Sequence, residues 1–262
     1  MRDAVQIDVL VGPKDKHLPP LDAAARIFAS FKNCRILSAA FDGSRLKVGL
    51  LLPDIPGGYC KAEELKPFVE GGAKRLIGSK GSLLANLRAT NYPGLDLVPA
   101  DFSLRHLDLH LDDAKRPTRR LSRLLEPLSD RYDLAVLDCP PGITLTSESV
   151  FSAADALLVP TIPTPLSRRT LDQLAEFLAG YPSPPMILPF ASIVDRRKRL
   201  QRDIVAALGA ETCGFLPTVI PNASLLERMG VELAPIATYA PNSPAALAFR
   251  HLWADVLARV WS

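Results

Sequence analysis

The sequence predicts an α/β fold: a single doubly wound, mostly parallel sheet with helices on both faces. Three observations carry this. Short apolar runs recur, as at residues 134–137 (LAVL), 156–159 (ALLV) and 186–190 (MILPF), and read as strands buried on both faces. Longer amphipathic stretches lie between them. Many of the 24 prolines fall just after the apolar runs, where the chain turns. At 262 residues and 48 % hydrophobic, residues 1–262 suit one large domain, and no second domain is expected.

Residues 5–11 (VQIDVLV) are the first predicted strand, followed by a loop to Pro20 and a helix over 21–31. Pro20 suits that helix's first turn, and Asp22 complements its dipole. Strands are expected at 34–40 and 46–52, with Asp42-Gly43-Ser44 turning between them. A helix is expected over 82–88, a strand over 95–98, and an amphipathic helix over 113–128. That last helix would carry Leu121, Leu124, Leu125 and Leu128 on one face and Arg116, Arg119, Arg120 and Arg123 on the other. The next expected elements are a helix at 147–154 and a strand at 156–159 stopped by Pro160. A helix at 171–179 and a strand at 186–190 follow, then a helix beginning near 200. A strand at 213–220 and a helix capped by Asn222 come next, and the last helix buries Phe249, Leu252, Trp253 and Val256.

Charged residues make up 23 %, so wholesale disorder is excluded, and a net charge of +3 does not demand a nucleic-acid partner. Cys34, Cys60, Cys139 and Cys213 form no C-x-x-C pair, which argues against zinc or redox chemistry. No leader and no long apolar span are visible, so a cytoplasmic protein with no membrane partner is expected. His106 and His110 are four apart with Asp108 between them, a spacing that could hold a metal but reads more simply as a surface turn.

Two features carry chemistry. Asp138 ends the run at 134–137, and a carboxylate at the carboxyl end of a buried parallel strand sits where open α/β sheets bind ligands. There it can hold a Mg²⁺-bound water. Arg168 and Arg169 follow the run at 156–159, and Arg196, Arg197, Lys198, Arg199 and Arg202 crowd the first turns of the helix near 200. Positive charge at a helix N-terminus opposes the dipole, which suggests a use in binding DNA or another polyanion.

The order YDLAVLDCPPG, then a helix containing AAD, then LLVPTIPTPLS resembles the second half of ParA/Soj/MinD-type deviant Walker-A ATPases, which position plasmids, chromosomes and other cargo. The likeness covers residues 71–262 well and residues 1–70 only in strand–helix–strand outline. It implies that Asp138 would serve a nucleotide-bound Mg²⁺ and that the turn at Pro221 and Asn222 would lie beside the adenine. It also implies a phosphate loop of the pattern K-G-G-x-G-K-[ST] after the first strand. Here that loop offers Gly12, Lys14 and Lys16, no Ser or Thr, and three prolines without N–H groups, Pro13, Pro19 and Pro20. The family's next acidic pair is reduced to Asp54, with Leu52 at the place of the first acid.

Two readings follow, with a metabolic P-loop relative, such as an amide-forming or iron-protein-like enzyme, a remote third because no catalytic Cys pair or glutamine-amidotransferase feature is present. In the first the chain is a degenerate, pseudo-ATPase relative with no obligatory cofactor, acting by dimerisation with itself or with a ParA-type relative. Its other partners would be non-specific DNA and a cargo or adaptor protein, with nucleoid association as an option. In the second it is an active ATPase using ATP and Mg²⁺, with Lys14 and Lys16 at the phosphates and Asp138 and Asp54 as its catalytic acids.

Overall fold

The computed structural model describes residues 7–11, 35–42, 45–51, 72–78, 81–89, 96–98, 104, 106–139, 142–232 and 234–261. Its centre is a five-stranded sheet. In spatial order the strands are β6 (Ala135–Cys139), β1 (Ile7–Val11), β7 (Ala156–Thr161), β8 (Met186–Val194) and β9 (Val219–Pro221). β7, β8 and β9 run parallel. β1 lies antiparallel to both β6 and β7, so those two share one direction and the sheet is parallel apart from β1. The expected first strand is therefore present but reversed against its neighbours. Apolar patterning over so short a segment does not fix a strand's direction.

Both faces of this sheet are covered, as the apolar runs require. Alternate residues point to opposite sides. Leu134, Val136, Leu158 and Leu188 join one buried cluster with α7 (Ser224–Glu232), α8 (Ile236–Tyr239) and α9 (Pro244–Val260). Leu137, Leu157 and Val159 join the other, with α3 (Arg120–Leu125), α4 (Leu145–Phe151), α5 (Pro165–Ala179) and α6 (Arg199–Glu211). Phe151 meets Phe177 and Tyr181 edge-on, with ring centroids 6.2 and 6.4 Å apart, which locks α4 to α5.

Several expected elements change. β2 (Arg35–Asp42) and β3 (Arg45–Leu51) form a hairpin of their own, separate from the main sheet. Asp42 pairs with Arg45, so the Asp-Gly signal closes a two-residue hairpin loop. The helix at 82–88 is only a 3₁₀ turn, Leu84–Asn86, closed by Asn86 Nδ2 donating to Ser82 O at 2.6 Å. β4 (Arg88–Ala89) follows and pairs with β5 (Asp96–Leu97), the shortened strand of 95–98. The helix at 113–128 breaks into a 3₁₀ turn, α3 and a second 3₁₀ turn, each 3₁₀ turn carrying a proline, Pro117 or Pro127. Proline's missing N–H and its ring forbid a continuous helix there. Arg116 enters with φ 61° and Arg120 Nη2 donates to Gly78 O, so the basic stripe dissolves.

Pro160 does not end β7, which continues to Thr161. β1 pairs only with residues 156–158 of β7, so no partner on that side needs the N–H that Pro160 lacks. β9 is three residues rather than eight. A turn precedes it at Gly214, where φ is +77° and a Cβ would lie 2.4 Å from the Ile187 carbonyl oxygen. Asn222 is exposed and its N–H donates to Val194 O at 2.9 Å, while α7 starts only at Ser224. Asn222 therefore ties two strand ends together instead of capping the helix. The helix expected at 21–31 lies outside the described residues.

Candidate functional site

Asp138 sits next to last in β6 and is 8 % exposed. By alternation it shares the face of Leu134 and Val136. The chain then turns through Gly142, whose φ of +108° suits glycine alone, with nothing within 4 Å of where a Cβ would stand. Thr144 caps α4. Its Oγ1 accepts from Ser147 N at 3.4 Å, and Ser147 Oγ accepts from Thr144 N at 2.6 Å. Ser147, fully buried, also donates to the carbonyl oxygens of Gly142 at 3.0 Å and Thr144 at 2.9 Å. The loop after β7 repeats this device: Thr164 Oγ1 accepts from Ser167 N at 3.1 Å, and Pro165 opens α5. Both helices thus start earlier than periodicity implied, and the shared T-x-x-S spacing was the signal in the sequence.

Asp108 lies in α2 (Leu107–Asp112) and reaches across to this loop. Its Oδ1 accepts from both the N–H and the Oγ1 of Thr146, each at 2.7 Å. A carboxylate there meets the N–H groups that the first turn of a helix leaves unpaired. The histidines flanking Asp108 therefore have no free carboxylate between them, and no metal-ligating cluster occurs among the described residues.

Asp8 is the register partner of Asp138, and Val11 that of Ala135. β1 therefore ends at the amino end of β6, on the edge of the sheet opposite Asp138. Gly12, Lys14, Lys16 and Asp54 lie outside the described residues. Pro221 ends β9 and is half-buried. Among the described residues, no phosphate-binding loop assembles at Asp138, and the first turn of α4 is already engaged by Thr144, Ser147 and Asp108.

The seven basic residues lie on the segments that follow two adjacent parallel strands. Arg168 and Arg169 follow β7, while Arg196, Arg197, Lys198, Arg199 and Arg202 follow β8, the adjacent parallel strand. Arg168 pairs with Glu211, linking α5 to α6. Arg197 grips Asp195 through Nε at 2.9 Å and Nη2 at 3.0 Å, and its N–H adds a third bond at 3.1 Å. Arg199 lies 3.6 Å from Asp203. Acids thus offset much of the charge that opposed the helix dipole. Arg169, Arg196 and Arg202 are exposed and enter no ion pair with a described residue.

Those bonds from Arg197 hold the Asp195 carboxyl down to about 2. A depressed carboxyl contributes stability above its unfolded value and loses it as the pH falls through its folded value. Titrating the Asp195 carboxyl carbon by NMR should give a midpoint near 2. In Arg197→Ala the midpoint should climb toward the ordinary value of about 3.9.

Residues 73–181 match the model of an AAA domain family. A putative replication protein A from Sinorhizobium fredii is 31 % identical over 121 residues, which are 43 % of this chain and 30 % of that protein. The chromosome partitioning protein ParA of Caulobacter vibrioides is 36 % identical over 73 residues, 27 % of each chain. The chain therefore spans well under half the length of these curated relatives. Among solved structures, a putative plasmid partition protein from Borrelia burgdorferi bound to AMPPNP superposes with a TM-score of 0.62 at 15 % identity, covering 72 % of this chain and 74 % of that one. Cobyrinic acid a,c-diamide synthase from Mycobacterium smegmatis, with a bound ATP analogue and magnesium, gives 0.58 at 21 % identity, covering 79 % of this chain and 80 % of that one. These structures share their P-loop α/β fold with this chain, and in sequence the chain is similar, over part of its length, to an AAA domain family and to chromosome partitioning proteins.

Proposed function

We propose that this chain is a ParA-like protein of plasmid or chromosome partition, or of cargo positioning, that acts by binding and has lost the usual nucleotide switch. The observation that carries this reading is the reversal of β1. In a phosphate-loop ATPase the strand before the loop delivers it to the edge where Asp138 lies. Here Val11 ends level with Ala135, at the far edge. The absence of Ser and Thr from residues 12–20, and the leucine at position 52, agree with it. In this reading Asp138 is an architectural residue at the sheet edge, above the Gly142 turn.

The basic residues after β7 and β8 would contact DNA phosphates. Dimerisation with itself or with an intact relative would supply the cooperativity that ATP supplies in that family. Residues 1–262 would act as one domain. The active-ATPase reading draws on one feature, the burial of Asp138 at the carboxyl end of β6.

Binding of ATP with Mg²⁺, followed by calorimetry, separates the two readings. The proposal expects a dissociation constant no tighter than millimolar, and no turnover that Asp138→Ala removes. Micromolar affinity, with hydrolysis abolished by Asp138→Ala, would sink it.

A further inference from the structure

An open groove of about 540 Å³ runs beside β9, the edge strand of the main sheet, and along α9. We propose that it docks a short acidic peptide segment of a partner protein, with one large apolar side chain as its anchor. Much of the lining is apolar, including Val219 of β9 and Leu247 of α9, which is 39 % exposed on a helix that buries its opposite face. A large aliphatic side chain left on the wall of a concave recess is the kind of surface that partners cover.

Charge selects the occupant. Arg196 stands in the wall, exposed and without an ion pair to any described residue. Lys198 and Arg202, also exposed, lie near it in sequence. His251 adds a donor on the helix side. Asp255, the carboxylate in the lining, is already engaged: its Oδ2 accepts from Thr218 N at 3.2 Å and Thr218 Oγ1 at 2.6 Å. The groove therefore presents unneutralised positive charge beside a largely apolar lining, which complements an acidic segment carrying one apolar side chain. A second copy of this chain would bring the same basic cluster against itself. A DNA duplex presents phosphates to Arg196 but nothing that needs the recess at Leu247.

This inference stands apart from the nucleotide reading, because the groove involves neither Asp138 nor β1. The test is selection of short random peptides displayed against the full chain, followed by fluorescence anisotropy on those enriched. The expected peptides combine Asp or Glu with a large apolar residue. They should lose roughly tenfold in affinity for both Leu247→Glu and Arg196→Glu. Val231→Glu, at an 81 % exposed site on α7, should bind them unchanged and serves as the folding control. Circular dichroism shows whether the groove variants fold, and the milder Leu247→Ser replaces any that does not. Failure to enrich peptides, enrichment of basic or neutral ones, or indifference to Leu247→Glu and Leu247→Ser would each overturn the proposal. So would a loss of duplex DNA affinity in Leu247→Glu equal to its loss of peptide affinity, since the groove would then belong to a polyanion surface.

Discussion

A chain in which Arg196, Arg197, Lys198 and Arg199 are all alanine should bind duplex DNA at least tenfold more weakly at moderate salt, with a flatter salt dependence. Each phosphate neutralised by a cation contributes about 0.9 to the slope of log affinity against log salt. Four independent contacts would remove about 3.6 from that slope, but the four are not equivalent. Arg197 is held by Asp195 on three bonds and Arg199 lies beside Asp203. Those two must give up an acid before they can serve a phosphate. Arg196 has no such competitor among the described residues. Arg196→Ala alone should therefore account for about one unit, and Arg197→Ala for much less. Filter binding or anisotropy across a salt series measures this. An unchanged slope in the fourfold variant would mean that these side chains only face water.

Trp253→Ala should cost about 3–5 kcal/mol of folding stability, the range for deleting a large buried aromatic. Trp253 is 1 % exposed and is among the largest fully buried side chains in the described residues. It lies on α9 with Leu252, Val256 and Phe249, all in the cluster that covers one face of the sheet. The surrounding elements resist collapse into the void, since α9 packs against β9 and is capped at its start by Ser243. Domains of this kind carry only about 5–15 kcal/mol in total, so the loss is a large share. Melting should fall by roughly 6–20 °C. Val231→Ala, at an exposed site, should stay within about 0.5 kcal/mol of the parent. Thermal and urea unfolding of the two variants, side by side, decide it.

How far the chain could be read in advance depended on the range of the cause. β6, β7 and β8 were legible because burial on both faces demands an unbroken apolar run. α9 was legible because Phe249, Leu252, Trp253 and Val256 repeat at helical spacing. The basic cluster was legible as composition. Its division into paired and unpaired members was not, because Arg168 meets Glu211 from another helix. The Asp108–Thr146 tie escaped for the same reason: nothing local in either segment announces it. The break in the helix over 113–128 could have been foreseen, since Pro117 and Pro127 both lie inside it. The orientation of β1 could not, because apolar strands read the same in both directions. The candidate site was thus half legible: Asp138 and its turn from local sequence, the far-edge ending of β1 only from the fold.

That reversed strand also sets an order of events during synthesis. β1 is made well before its partners, residues 135–139 and 156–158. Until both have left the ribosome β1 has no partner, and until β1 then docks, β6 and β7 flank an empty slot, each with a row of unsatisfied backbone groups. Pairings so distant in sequence are slow to close. The growing chain is therefore most prone to aggregate after β7 has emerged and before β1 has returned to it. A chaperone that shields those two strand edges would act in that interval.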